Sequence, residues 1–192
     1  VHITSLVGTA RRMAATKDQW SGTLMLIGQP AEETGPGAKA MKDDNLWQRF
    51  GTPDYALAFH VSANDETGIV NVLEGPVFAG VDSVEIIVHG FGAHGAEPHV
   101  GKDPVLIGSQ IVVALQTLIS RELSPREPGV VTVGSFISGT RGNVIPDKAI
   151  LKLTVRNTNL KTRKILLDGI ERIAINIGRA AGLPENLLPE VI

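Results

Sequence analysis

Two adjacent carboxylates, Glu32 and Glu33, directly follow a short apolar run that predicts a buried strand. Open α/β sheets bind their ligands beyond the carboxyl ends of the strands, so this position indicates a crevice. Because neighbouring residues point in different directions, one carboxylate can bind a metal ion while the other accepts a proton from water. The alternative interpretation of the pair is a solvated acidic turn.

His60 ends the next predicted strand, and an imidazole at a strand terminus suits zinc. The alternative is a half-buried histidine with a backbone partner, which is the commoner case for a lone histidine. The occurrence of the acidic pair and His60 at the ends of two successive predicted strands is more informative than either motif alone. If the two strands are parallel neighbours, Glu32, Glu33 and His60 converge on one edge of the sheet.

A third candidate is His94, in a run of eight residues (GAHGAEPH) that begins at Gly92. Glycines on both sides let the backbone bend and expose the ring, which suits a hydrogen bond to a developing oxyanion. Further along, Asn143 and Arg156 have the side-chain types that hold a substrate carbonyl or carboxylate. The alternatives are a simple connecting turn, a turn asparagine and a surface arginine.

The elements that must position these residues change character near residue 81. Before it, a helix over 1–16 and alternating strand, helix and strand patterns predict an α/β sheet with parallel members, over 23–28, 38–50, 55–60 and 68–73. After it, the order is strand, helix, strand, strand, helix, with 190–192 opening a fourth strand. That order predicts a ferredoxin-like (βαββαβ), four-stranded antiparallel sheet with two helices on one face.

Composition excludes several other classes of protein. Basic and acidic side chains are nearly balanced, at 18 and 20, which argues against a nucleic-acid surface. Without cysteine, the chain has neither a disulfide nor a thiolate nucleophile. The apolar stretches are short and broken, so no membrane span is expected.

The chain starts at Val1 without a signal-like segment, so we expect the native N-terminus elsewhere. The cytoplasm is the default expectation, and export stays compatible with the sequence.

Taken together, the motifs resemble the zinc aminoacylase and carboxypeptidase-G superfamily. The resemblance is closest to the branch of hippurate hydrolases and auxin-conjugate amidohydrolases. It extends over essentially the whole chain and is carried by four motifs in register: Gln29-Pro30-Ala31-Glu32-Glu33 with Gly37, Ala38 and Met41; Phe59-His60-Val61; Gly92 to His99 with Asp103-Pro104; and Asn143-Val144-Ile145-Pro146-Asp147 ending at Arg156.

The resemblance implies a fold, a reaction and a role for each residue. Residues 1–80 would be part of a zinc-peptidase-like catalytic domain, and 81–192 its lid and dimerisation domain. Glu32 would be the general base, Glu33 and His60 metal ligands, and His94 the group that polarises the scissile carbonyl, usually from the partner subunit. Asn143 and Arg156 would bind the substrate, an N-acyl amino acid or peptide. The cofactor would be two divalent ions, zinc first, with manganese, cobalt or nickel as alternatives.

Two departures from the family pattern accompany the resemblance. The family's C-G-H-D-x-H segment would end at Val1-His2, so a cysteine and a histidine ligand are expected upstream, and a further histidine ligand beyond Ile192. The metal site is therefore expected to be incomplete in this chain. Arg156-Asn157-Thr158-Asn159 also differs from the usual Arg-Thr-Phe ending. A non-catalytic dimerisation or binding module is the alternative function for the chain in isolation.

Overall fold

The computed structural model describes all residues from Val1 to Ile192 and divides them into two compact units, Val1–Asn71 and Val72–Ile192. The first unit is helical where it is regular. Its helices are α1 (His2–Ala15), α2 (Gly37–Asp43) and α3 (Leu46–Phe50). The predicted single helix over 38–50 is broken, because Asn45 adopts a left-handed φ of 59° that a right-handed helix cannot continue.

The three strands predicted for the first unit, over 23–28, 55–60 and 68–73, are not formed. Tyr55, Leu57 and Phe59 are instead 92%, 91% and 72% exposed. A continuous apolar run predicts a strand that is buried on both faces, but such a strand exists only beside neighbours that complete its hydrogen-bond ladder and cover its side chains. These segments find no such neighbour within the chain, so the prediction of paired parallel strands is wrong for this structure.

The second unit has the predicted order of elements. They are β1 (Gly80–His89), β2 (Ala93–His94), α4 (Pro104–Thr117), β3 (Gly129–Ser138), β4 (Val144–Ile145), β5 (Lys148–Asn157), α5 (Leu160–Ala180) and β6 (Glu190–Val191). The main sheet is antiparallel in the order β3-β5-β1-β6, and a separate ribbon joins β2 to β4. The ferredoxin-like antiparallel fold predicted for this part of the chain is confirmed.

One hydrophobic core lies between the sheet and both helices. Alternate residues of β5 are buried, which leaves the intervening side chains on the opposite face of the sheet. The buried faces of α4 and α5 join the same cluster, so both helices cover one face. The largest fully buried side chains in this cluster include Ile86, Ile111, Leu115, Leu118, Leu151, Leu166 and Ile170.

Local signals set the helix ends as the sequence predicts. The Asp103 carboxylate accepts hydrogen bonds from the backbone N–H groups of Val105 and Leu106, at 2.8 and 3.4 Å, and caps α4. Asn159 caps α5 by accepting from Thr162 N at 2.8 Å. Helix α4 continues as a π-helical turn over Leu118–Glu122. The stretch Pro104–Glu122 is long enough and apolar enough to cross a membrane. The core helix of a compact domain passes the same test of length and composition.

Candidate functional site

The acidic pair lies in a tight turn ahead of α2. Gly35 N donates to the carbonyl oxygens of Ala31 and Glu32, at 3.1 and 3.0 Å. The turn packs against the start of α2 through Gly37, where an added Cβ would lie 1.5 Å from the Pro30 carbonyl oxygen. Only glycine fits this contact. Gly37 therefore specifies the turn that carries Glu32 and Glu33. Both glutamates are exposed in this turn.

His60 contacts the backbone of the next residue through its ring. Its Nδ1 lies 2.7 Å from the Val61 carbonyl oxygen, which can only accept a hydrogen bond, so Nδ1 carries a proton in this contact. Histidines that bind a metal typically donate their second N–H to a backbone carbonyl or a carboxylate in this way. The Nδ1 contact of His60 is thus of the kind that a histidine ligand makes.

The ligand set around His60 is not closed within this chain. The ring of His2 lies 5.4 Å from that of His60, centroid to centroid. No group of three or more histidine, aspartate or glutamate side chains is arranged to hold a metal ion. The carboxylate of Glu33 and the imidazole of His60 fit zinc by their chemistry, but two protein ligands are fewer than the three or four of a stable site. Their role as ligands stays a prediction.

His94 and Asn143, far apart in sequence, are brought together by the β2–β4 ribbon. His94 pairs with Val144 across the ribbon, and Gly95 N donates to the Asn143 carbonyl oxygen at 2.8 Å. Asn143 itself lies in a turn that is closed by a 3.3 Å hydrogen bond from Val144 N to the Arg141 carbonyl oxygen. Both side chains are exposed at one tip of the second unit.

His94 uses its Nδ1 in the opposite way, as an acceptor. Ala96 N donates to His94 Nδ1 at 3.1 Å, so Nδ1 is the unprotonated acceptor. The neutral ring then carries its proton on Nε2. A hydrogen-bond donor on an exposed, backbone-oriented ring is the group needed to stabilise an oxyanion. The two histidines thus differ at Nδ1, since His60 donates there and His94 accepts.

The loop that carries His94 is packed closely against its surroundings. Phe91 and Lys102 exchange two backbone hydrogen bonds of 2.9 and 3.0 Å across its base. An added Cβ on Gly90 would lie 2.4 Å from the Lys102 carbonyl oxygen, so only glycine fits there. Lys102 Nζ also donates to the Ala181 carbonyl oxygen at the end of α5, at 2.8 Å. These contacts fix the base of the loop that carries His94.

Arg156 lies at the other end of the sheet. It pairs with Val81 on β1 and with Val130 on β3, whereas Lys148, at the opposite end of β5, pairs with His89 just before the His94 loop. Eight residues of extended chain between Lys148 and Arg156 correspond to about 26 Å. The structure therefore separates Arg156 from His94 and Asn143 within one chain, and all three remain predicted site residues.

Sequence reasoning missed two features near these residues. One is the β2–β4 ribbon, whose two-residue strands are too short to show a periodic pattern. The other lies beside Arg156, where Asp82 accepts hydrogen bonds from Arg163 Nε at 3.0 Å and from Asn157 Nδ2 at 3.3 Å. The hydrogen bond that Arg163 donates to Asp82, and then the negative charge of Asp82, raise the pKa of Arg163. This contact ties the first turn of α5 to the start of β1.

Comparison with known families finds one match. Residues 79–181 match the family described as the peptidase dimerisation domain, also designated M20 dimer. This segment includes β1 to β5 and all of α5, and with them His94, Asn143 and Arg156.

Known proteins resemble almost the whole chain. The hippurate hydrolase of Campylobacter jejuni is 37% identical over 93% of this chain and 46% of its own length. The N-acetyl-L-cysteine deacetylase of Bacillus subtilis is 33% identical over 97% of this chain and 44% of its own. A solved aminohydrolase from methicillin-resistant Staphylococcus aureus aligns over 100% of this chain and 48% of its own, with 34% identity and a TM-score of 0.84.

A second solved structure, of a dinuclear metal-binding peptidase of the M20 family from Bacillus subtilis, is 27% identical with a TM-score of 0.69. It also aligns over 100% of this chain and over 46% of its own length. The chain therefore spans less than half the length of each of these relatives.

Proposed function

Because this chain belongs to the M20 peptidase family of metal-dependent amidohydrolases, we propose that the full-length protein hydrolyses the amide bond of N-acyl amino acids or related peptides. The observation that carries the proposal is the hydrogen bond at His94 Nδ1. This nitrogen accepts from Ala96 N, so the neutral ring carries its proton on Nε2, where it can donate to an oxyanion. Such a donor is one of the groups that hydrolysis by activated water needs.

Each candidate residue of the chain has a separate role in the proposed reaction. Glu32, adjacent to the ligand Glu33, accepts a proton from the attacking water and passes it to the leaving amine. His94 donates its Nε2 proton in a hydrogen bond to the carbonyl oxygen as negative charge develops there. Asn143, held beside His94 by the ribbon, binds the substrate by its amide group. Arg156 binds a substrate carboxylate with its planar guanidinium.

Glu33 and His60 are the residues of this chain that would hold a divalent metal. When bound, such an ion supplies a Lewis acid for the carbonyl and lowers the pKa of its water toward 7. The expected cofactor is a pair of zinc ions, with manganese, cobalt or nickel as alternatives. The similarity to a peptidase described as dinuclear supports a two-metal centre.

The separation of Arg156 from His94 supports a homodimer in which each site takes residues from both subunits. An N-acyl amino acid is far shorter than the distance of about 26 Å along β5. Arg156 and His94 of one subunit therefore cannot both contact a single substrate molecule. Strand β3 pairs only with β5, so its other edge is open to a second copy. Val113 on α4 is 72% exposed and Val130 on β3 is 45% exposed, which adds apolar surface for such an interface.

An assay of the full-length protein tests the proposed function. With N-acetyl and N-benzoyl amino acids as substrates, we expect release of the free amino acid and the carboxylic acid in equal amounts. A chelator should abolish the activity, and added zinc should restore it. If the protein binds zinc and hydrolyses none of these amides, the proposed function is wrong.

The alternative for the chain by itself is a dimerisation or binding module without catalysis. Two of the expected ligands are present, and no group of three is formed. We therefore expect the 192-residue chain, after dialysis, to contain much less than one zinc per molecule. Elemental analysis of the chain and of the full-length protein measures this. One zinc or more retained by the chain, and lost on replacing Glu33 or His60, would show that these two residues suffice.

A further inference from the structure

A cleft of about 460 Å³ borders the ribbon that carries His94 and Asn143. This volume is in the range of small-molecule sites. Its apolar lining comes from the end of β3, from β4 and from the start of β5, namely Ile137, Val144, Pro146 and Ile150. The hydroxyl of Ser138 donates to the Lys148 carbonyl oxygen at 2.7 Å and ties the two sides of the cleft together.

Two cations line this cleft without a partner. The side chains of Arg141 and Lys148 make neither a hydrogen bond nor an ion pair, although the carboxylate of Asp147 lines the same cleft. Some other arginines of the second unit are paired, such as Arg163 with Asp82 and Arg172 with Glu122. The cleft thus combines an apolar floor with an excess positive charge, which suits a carboxylate at the end of a short carbon chain.

The position of Arg141 relates the cleft to the proposed reaction. Arg141 opens the turn that contains Asn143, and Val144, which closes that turn, pairs with His94. A turn spans less than about 7 Å and a strand pair about 5 Å between Cα atoms, so the Cα atoms of Arg141 and His94 are at most about 12 Å apart. The arginine side chain can therefore contact a group a few bonds from the scissile carbonyl.

We propose that Arg141, assisted by Lys148, binds a second carboxylate of the substrate, beyond the one next to the scissile amide. This inference rests on the proposed function and specifies its substrate class: dicarboxylic N-acyl amino acids. The second carboxylate can lie on the amino-acid side chain or on the acyl group, and the chemistry recognised is the same. Arg156, at the far end of the sheet, is left for the first carboxylate.

The test compares charged and neutral substrates of equal shape in the full-length protein. One arm uses N-acetyl-L-glutamate against N-acetyl-L-glutamine, and the other uses N-succinyl-L-alanine against its terminal amide. We expect the parent protein to prefer the charged member of at least one pair by about tenfold or more in kcat/KM, the effect of a charge-assisted hydrogen bond. The arm that shows the preference identifies which part of the substrate enters the cleft.

Arg141→Gln should remove most of that preference and leave kcat/KM for the neutral member within about twofold. Arg126→Gln is the matched control, since Arg126 is exposed, its side chain makes neither a hydrogen bond nor an ion pair, and it does not line the cleft. Thermal unfolding of each variant verifies that its stability is unchanged. Hydrolysis of both members without preference, or with a preference that Arg141→Gln preserves, would overturn this inference alone. If none of the four substrates is hydrolysed while other N-acetyl or N-benzoyl amino acids are, this inference alone is wrong. If none of these amides is hydrolysed, the proposed function is wrong with it.

Discussion

Replacing Glu32 by glutamine in the full-length protein should reduce turnover of N-acyl amino acids by about 10²–10⁴-fold, the usual cost of losing a general base. The amide keeps the size of the carboxylate but cannot accept a proton at neutral pH. Since Glu33, and not Glu32, is the proposed ligand, the metal content should stay at the parent level. Steady-state kinetics and elemental analysis of the same preparation measure the two effects separately.

Glu66→Gln is a suitable control for this variant. Glu66 is also an exposed glutamate of the first unit, and its side chain makes no hydrogen bond or ion pair. We expect it to retain the parent turnover. If Glu32→Gln were to hydrolyse the substrate at nearly the parent rate, Glu32 would not be the base. A parallel loss of metal and activity would instead place Glu32 among the ligands.

Replacing His94 by alanine should lower turnover by about 10²–10³-fold, as the loss of an oxyanion donor does, and leave the metal content unchanged. The side chain is exposed, and its one hydrogen bond is the local one from Ala96 N, so the change should cost little stability. His99→Ala is the matched control, because His99 is an exposed histidine five residues further along the chain. It should keep the parent rate.

The same variant tests whether His94 acts across the dimer. When His94→Ala and Glu32→Gln are mixed and their subunits exchange, one site of each mixed dimer holds an intact Glu32 and receives an intact His94 from the partner. Random exchange makes about half of the dimers mixed, each with one working site of two, so about a quarter of the parent activity should return. Neither variant alone should approach that level.

Labelled subunits establish that exchange has occurred. If exchange is complete and the mixture stays as inactive as its components, His94 serves the site of its own subunit. That outcome would also require another explanation for the distance between His94 and Arg156, because both could not then contact one substrate without a large change in the second unit.

The second unit could be predicted from sequence because its signals are local. In β5, Ala149, Leu151, Leu153 and Val155 are buried in strict alternation, and this period of two is legible without knowing the neighbouring strands. Asp103 and Asn159 mark helix starts for an equally local reason, since each side chain bonds to its own backbone two or three residues on. The order of these strands and helices along the chain is compatible with only a few sheet topologies.

The first unit shows where that reasoning fails. The apolar runs at 23–28 and 55–60 have no period, and an apolar run forms a strand only if other strands lie on both sides of it. The candidate residues Glu32, Glu33 and His60 were identified from residue type and position. Their mutual arrangement could not be, because it depends on contacts that no local pattern encodes.

The sequence by itself therefore determined which residues can do chemistry and which elements of the second unit carry them, since residue type, glycine placement and periodicity are local properties. Only the tertiary structure decided how those residues combine. Pairing of β2 with β4 joined His94 to Asn143, the length of β5 separated both from Arg156, and backbone contacts gave Nδ1 opposite roles in His60 and His94. Each of these results depends on the direction of a hydrogen bond or on a distance through space, and both exist only once the chain is folded.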